Sequence, residues 1–538
     1  MLSTVVLLLA STLFCKSEQI RLLTDISKIS RYWGHLSPYT DNPDDHFGVK
    51  YTGLPDGCQI ESVQTIQRHS ERFPTSTYGD GGNINSFTQR ISEFHSNNRS
   101  KKSFNGTLEF LNSWQNIFNS GEFLTGSGAA SQFAAGVNFW NQYGRILYNA
   151  PSGQLAYDPN FPNGTARPPI VLRTTEQSRI YNSQINWALG FFGSSRQKTP
   201  NPSLTNVTQP FKVVIIPEES NEKWNNTLAP YMSCSNFFMP EIGWMGEYIH
   251  EKYVAKYLDP AVKRFRNLIP EGLMLSTGEL HGMQLLCAYE TAFIGGSDFC
   301  TLFTEDEWAG FENSLDIIYY YTYGHGNPTG RAQGIGYVHE IMARLNHSLI
   351  TSSSSSVNST LSGNATTFPT NQAFYADFSH DDVLISVLAA LSVDYFHAPP
   401  NISQFPPDPA RKFILSQITP FGARLVTETI GCDSANPKSR RFPRIHYKSG
   451  QDGYNASKAK HKFVRMRLNN GIVPLNTIRD RVCGDEETGR VDGMCALHDF
   501  LSQQEKITAL ANYQYACFAN YTVEDPKSGR DWDGTIFP

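Results

Sequence analysis

Along this chain, stretches of period-two alternation are separated by longer helical patterns. Ser62-Val63-Gln64-Thr65-Ile66 alternates polar and apolar side chains, as a strand would. Phe110, Leu111, Trp114 and Phe118 then repeat with helical spacing, and a second apolar helix is predicted near 129–148. Pro169 to Thr175 is a second strand-then-loop, followed by one helical face (Ile180, Tyr181, Ile185, Ala188, Leu189, Phe192) that Gly193 closes. The stretch 215–320 is mixed and mostly helical, with helices predicted at 244–268 and 307–323. Phe374 to Phe378 is strand-like, and Leu384, Leu388 and Leu391 mark the helix after it. Residues 422–430 and 463–468 alternate again and predict two more strands, one of them near an edge. Strands alternating with helices are the pattern of an α/β protein. There is no internal repeat.

Composition narrows the class. At 538 residues the chain has room for one large domain or two to three ordinary ones. A formal net charge of −5 argues against a nucleic-acid binder, and no basic run suggests a membrane surface. Residues 1–17 have a short apolar core between small polar flanks and read as a secretory signal peptide, so a secreted product is expected. Removing Cys15 with that segment leaves eight cysteines, an even number with no C-x-x-C spacing, which suits an oxidising compartment better than zinc. Eight cysteines allow 105 pairings. Eleven N-x-S/T sequons favour a glycosylated extracellular chain, and the serine-rich Thr351–Thr367 segment reads as an exposed glycosylated loop.

The candidate chemistry lies in two fragments. In the first, Arg68-His69-Ser70-Glu71-Arg72-Phe73-Pro74, two guanidinium forks flank an imidazole. Such forks grip phosphate through paired hydrogen bonds, and a neutral, oriented imidazole can attack phosphorus. The second fragment, Tyr375-Ala376-Asp377-Phe378-Ser379-His380-Asp381-Asp382, lies about three hundred residues on. The glycines of Gly324-His325-Gly326-Asn327-Pro328-Thr329-Gly330 fit neither G-K-[ST] nor G-x-G-x-x-G, so no nucleotide loop is expected.

Together the two fragments resemble the histidine acid phosphatase family, with its R-H-G-x-R-x-P signature and distal H-D pair. The fragment Gly324–Leu345 resembles the phytase branch. The resemblance implies an α/β, phosphoglycerate-mutase-like mixed sheet flanked by helices, with a smaller α-rich lobe inserted. In residue terms that is a core at about 50–84, 150–215 and 368–520 and a lobe at about 85–149 and 216–330, within a unit spanning 18–538. It implies His69 as nucleophile, Asp381 as proton donor, and Arg68, Arg72, Arg173 and His380 as phosphate ligands, with no metal or other cofactor. It also implies the disulfides Cys58–Cys432, Cys234–Cys517, Cys287–Cys300 and Cys483–Cys495. Arg179 is expected to brace its helix, Asp382 to cap the next one, and His325 to be a loop residue without chemistry.

The expected substrate is a small phosphate ester, with phytate favoured over general phosphomonoesters. A pocket for that polyanion should carry extra basic groups, for which Arg90, Lys101 and Lys102 are the candidates. The one departure is Ser70, where the family has glycine. If the loop needs a positive φ there, a serine strains it. An inactive phosphate-ester-binding glycoprotein is the corresponding alternative.

Overall fold

The computed structural model describes residues 21–76, 78–97, 102–118, 121–193, 210–218, 224–441, 454–485, 487 and 489–538. The signal-peptide segment 1–17 and Lys101 lie outside them. An eight-stranded sheet organises the chain: β1 (Cys58–Arg68), β2 (Ile170–Thr175), β3 (Phe211–Ile216), β4 (Phe374–Ser379), β5 (Arg424–Cys432), β6 (His461–Leu468), β7 (Gly471–Ile472) and β8 (Cys495–Ala496). Their order is β3-β2-β4-β1-β5-β6-β7, with β8 beside β6. Strands β3, β2, β4 and β1 run parallel, whereas β5 is antiparallel to β1 and β6 to β5. This is the mixed α/β sheet the sequence predicts. The parallel strands β2 and β4 are buried throughout, the usual state of strands covered on both faces.

The helices that matter here are α1 (Asn83–Asn97), α2 (Gly126–Phe139), α3 (Ser178–Phe192), α4 (Met245–Tyr257), α5 (Thr277–Ile294), α6 (Glu305–Tyr323), α7 (Gly330–Leu345) and α8 (Asp381–Ala390). Two of them, α5 and α6, begin with a complete capping box, Ser276 with Glu279 and Thr304 with Glu307. Aromatic packing joins α2 and α3 to the sheet, with Phe139 and Phe191 both in contact with Phe374. The four disulfides implied by the resemblance are the four that form. Among the described residues, no helix is long and apolar enough to cross a membrane.

Several local expectations are corrected. Trp114 and Phe118 do not continue a helix, because Gly106–Asn112 is only a short 3-10 turn. The stretch 244–268 is two helices, α4 and Asp259–Phe265, since Pro260 donates no hydrogen bond and starts the second one. Strand β3 was not anticipated. The serine-rich segment is partly buried rather than exposed: Ser355, Ser356 and Ser362 are enclosed, and the Ser362 hydroxyl donates to Glu340 at 2.7 Å.

Candidate active site

The parallel strands end together. Arg68 pairs in register with Ser379, so His69 and His380 leave the carboxyl ends of the adjacent strands β1 and β4 side by side. Their rings stand 6.2 Å apart, centroid to centroid. Glu218 follows β3, and Arg179 lies in the first turn of α3 beyond β2, on the same edge. Open α/β sheets bind ligands at this edge, because the following helices turn their N-termini toward it.

His69 is buried, and its Nδ1 lies 2.8 Å from the Ser70 carbonyl oxygen. A carbonyl only accepts, so Nδ1 carries the proton and Nε2 keeps its lone pair. Burial, then the charges of Arg68, Arg179 and Arg72, hold its pKa well below the ordinary histidine value. His380 is the opposite case. Burial works against its charge, but Glu218, 3.0 Å from its Nε2, raises the pKa. Different neighbours push one imidazole toward the neutral form and the other toward the cationic form.

Arg68 is fully buried. One terminal nitrogen donates to the His35 carbonyl and, at 2.8 Å, to that of Thr419; the other pairs with Asp381 at 2.7 Å. Asp381 also accepts from the Tyr319 hydroxyl at 2.9 Å. Burial opposes its charge, but Arg68, His35 and Arg72 hold the carboxyl well below the usual range. Arg72 lies 3.1 Å from Asp80 and donates to the Tyr289 hydroxyl at 3.0 Å.

Arg173 is not where the resemblance implies. It sits inside β2, opposite Asp377 of β4, and its guanidinium is spent on Asp377 (2.8 and 2.9 Å) and Glu340 (2.7 and 2.9 Å). Arg344 joins the same cluster, 2.7 Å from Asp377. The cause is strand length: β2 runs on to Thr175, so position 173 stays within the sheet. Arg179, expected only as a brace, is the arginine that reaches the cavity. The spacing held a signal, since a residue at the start of the helix after a strand is nearer the ligand edge than one within it.

A cavity of about 540 Å³ opens here, within the usual range for small-ligand sites. Arg72, Arg179, His380 and Asp382 line it, together with His35 and Tyr319 from segments to which no chemistry was assigned. The Nε atoms of Arg72 and Arg179 are buried without a hydrogen-bond partner. Glu218, also missed, follows the unanticipated β3. Of the extra basic groups expected, Arg90 pairs with Glu279 and Lys102 with Glu271; neither lines the cavity. No lysine among the described residues does, and the mouth is aromatic, with Phe238 and Trp244 more than half exposed.

Ser70 strains nothing. It is absent from the positive-φ positions, and its hydroxyl accepts from Gln132 at 2.9 Å. Room for it exists at Gly422, where a Cβ would come within 2.8 Å of the Ser70 oxygen.

His325 lies with His397 and Asp533 in the only three-residue group of possible metal ligands among the described residues. Arg331 and Arg479 both donate to Asp533, so its oxygens are already occupied by cations.

Fold and site together define a histidine phosphatase. The chain belongs to the histidine phosphatase superfamily (branch 2), whose family model matches residues 59–469. It is 28% identical to Phytase A of Aspergillus oryzae over 505 residues, covering 92% of this chain and 91% of that one. Phytase A of Aspergillus fumigatus is likewise 28% identical, over 480 residues, with 88% and 87% covered. Among solved structures, the phytase from D. castellii superposes with a TM-score of 0.64 at 21% identity, covering 91% of this chain and 88% of that chain. A Bifidobacterium longum multiple inositol polyphosphate phosphatase in complex with inositol hexasulfate superposes with a TM-score of 0.50 at 14% identity, covering 88% and 97%. These last two likenesses concern the fold.

Proposed function

We propose that this chain is a secreted phosphomonoesterase that favours phytate and works through a phosphohistidine at His69. The observation that carries the reading is the neutral His69 ring, its proton committed to Ser70, set among three guanidinium groups and a charged His380. Arg72, Arg179 and His380 take the non-bridging oxygens of the phosphoryl group, and Arg68 turns to it from Asp381. The lone pair of His69 Nε2 then forms a bond to phosphorus as the bond to the ester oxygen breaks.

The departing oxygen needs a proton, and we assign that role to Asp381, freed when Arg68 turns to the phosphate. In the resting site Arg68 keeps Asp381 ionised. A phosphate that draws Arg68 away, and adds its own negative charge, raises the carboxyl so that it enters the reaction protonated. Water then attacks the phosphohistidine, giving its proton back to Asp381, and inorganic phosphate leaves. An acidic optimum follows from that proton requirement. The family resemblance and the two Phytase A relatives support the substrate, and the four disulfides support an oxidising, extracellular location.

A second reading, a broad acid phosphatase, draws on the cavity itself. Its lining, lysine-free among the described residues, and its aromatic mouth suit a single phosphate on an apolar alcohol as well as a dense polyanion. Comparing kcat/KM for phytate and an aryl phosphate between pH 3 and 6 decides between the two. The covalent route is tested by rapid alkaline-quench labelling with radiolabelled substrate. The expected result is an acid-labile, base-stable label on the peptide containing His69, absent in His69→Ala; a label elsewhere, or none under turnover, refutes it.

A further inference from the structure

Asp382 is the second residue of α8 and faces the cavity beside His380 and Arg179, whereas Asp381 turns away to Arg68. It is buried, and its Oδ1 has no hydrogen-bond partner. Every cation around it is already engaged. His380 is held by Glu218, Arg68 by Asp381, and Arg179 donates to Glu122. Its other neighbours are the Glu218 carboxylate, the Asp381 carboxylate, and the phenols of Tyr231 and Tyr323. The one cation that acts strongly on this carboxyl, His380, is already shared with Glu218, so burial favours the neutral acid more than in an ordinary aspartate.

We infer that Asp382 is a proton-controlled specificity residue of the anion site: protonated, it donates a hydrogen bond to a phosphoryl oxygen, and ionised, it repels the group. The inference rests on the proposed phosphate site and assigns it a limit on the alkaline side. Burial, with the repulsion of Asp381 and Glu218 and against the opposing charge of His380, pushes the carboxyl up to about 7. The site therefore binds anions more weakly as pH rises through the neutral range. This control acts on binding and is separate from the proton that Asp381 supplies to the leaving group.

The test uses sulfate, an anion whose charge is constant over the range, titrated calorimetrically into the intact protein between pH 5 and 8.5. The wild type should lose at least about tenfold in affinity across that range, the consequence of adding one like charge at close range in a partly buried site. In Asp382→Asn, which keeps the shape and removes the charge, the loss should shrink to less than about threefold. Should the variant lose affinity with the same midpoint and amplitude as the wild type, His380 is the titrating group and the inference is overturned. Asp382→Ser serves as a second probe if the asparagine variant proves unstable. Absence of sulfate binding at pH 5 in the wild type would instead sink the anion site itself, so the two failures are distinct.

Discussion

Two clusters of charge lie at successive levels of the same parallel strands, and they are built differently. In the sheet, Arg173 and Arg344 face Asp377 and Glu340, two cations against two anions. The hydroxyls of Thr227, Ser362 and Tyr337 satisfy those carboxylates further. A few residues on, at the strand ends, Arg72, Arg179, His380 and Asp382 line a cavity with donors and an acceptor left unpartnered. A closed network of buried charge holds structure together; an open one is poised for a charged ligand. The same residue types, as at Arg173 within β2 and Arg179 in the first turn of α3, therefore sit in different surroundings.

The comparison can be broken most sharply at His69. His69→Ala should remove all but a residue of turnover, about 10³-fold or more in kcat, while sulfate still binds. Next comes the arginine pair. Arg179→Met should lower kcat/KM by about 10²-fold with little change in the denaturation midpoint. Arg173→Met should cost about 3–5 kcal/mol of stability, because it strands two buried carboxylates on one arginine. Chemical denaturation and steady-state kinetics on both variants check this, and equal effects on activity would erase the distinction between the clusters.

A smaller effect follows from Asp382. Its folded pKa, about 7, lies above the unfolded value of 3.8, so the folded state binds more protons between those limits. Its contribution to stability is therefore greatest below pH 3.8 and falls as pH rises toward 7. Asp382→Asn should raise the melting temperature at pH 8 relative to wild type, and by less at pH 4, as read by calorimetry. Smallest is Ser70→Gly, which gives up the bond from Gln132 and should cost about 1 kcal/mol with activity retained. A large gain in turnover would instead mean that serine obstructs the site.

Much of this molecule follows from short-range pattern. Alternation at 62–66, 422–430 and 463–468 marks strands β1, β5 and β6, because side chains on a strand face alternately whatever the rest of the chain does, and the strand-like runs at 169–175 and 374–378 mark β2 and β4. The two motifs place His69 and His380 for a similar reason: each directly follows its strand. What the chain could not reveal locally is which arginine lines the cavity. Arg173 and Arg179 are both plausible in one dimension. Only the pairing of β2 with β4 and the packing of α7 against them bring Asp377 and Glu340 onto Arg173 and leave Arg179 at the open edge. The same holds for Asp381 and Asp382, adjacent in sequence but pointed into different surroundings by the first turn of a helix. Hydrophobic periodicity is a property of neighbours along the chain, whereas the charge state and reach of a buried group depend on partners that only the fold assembles.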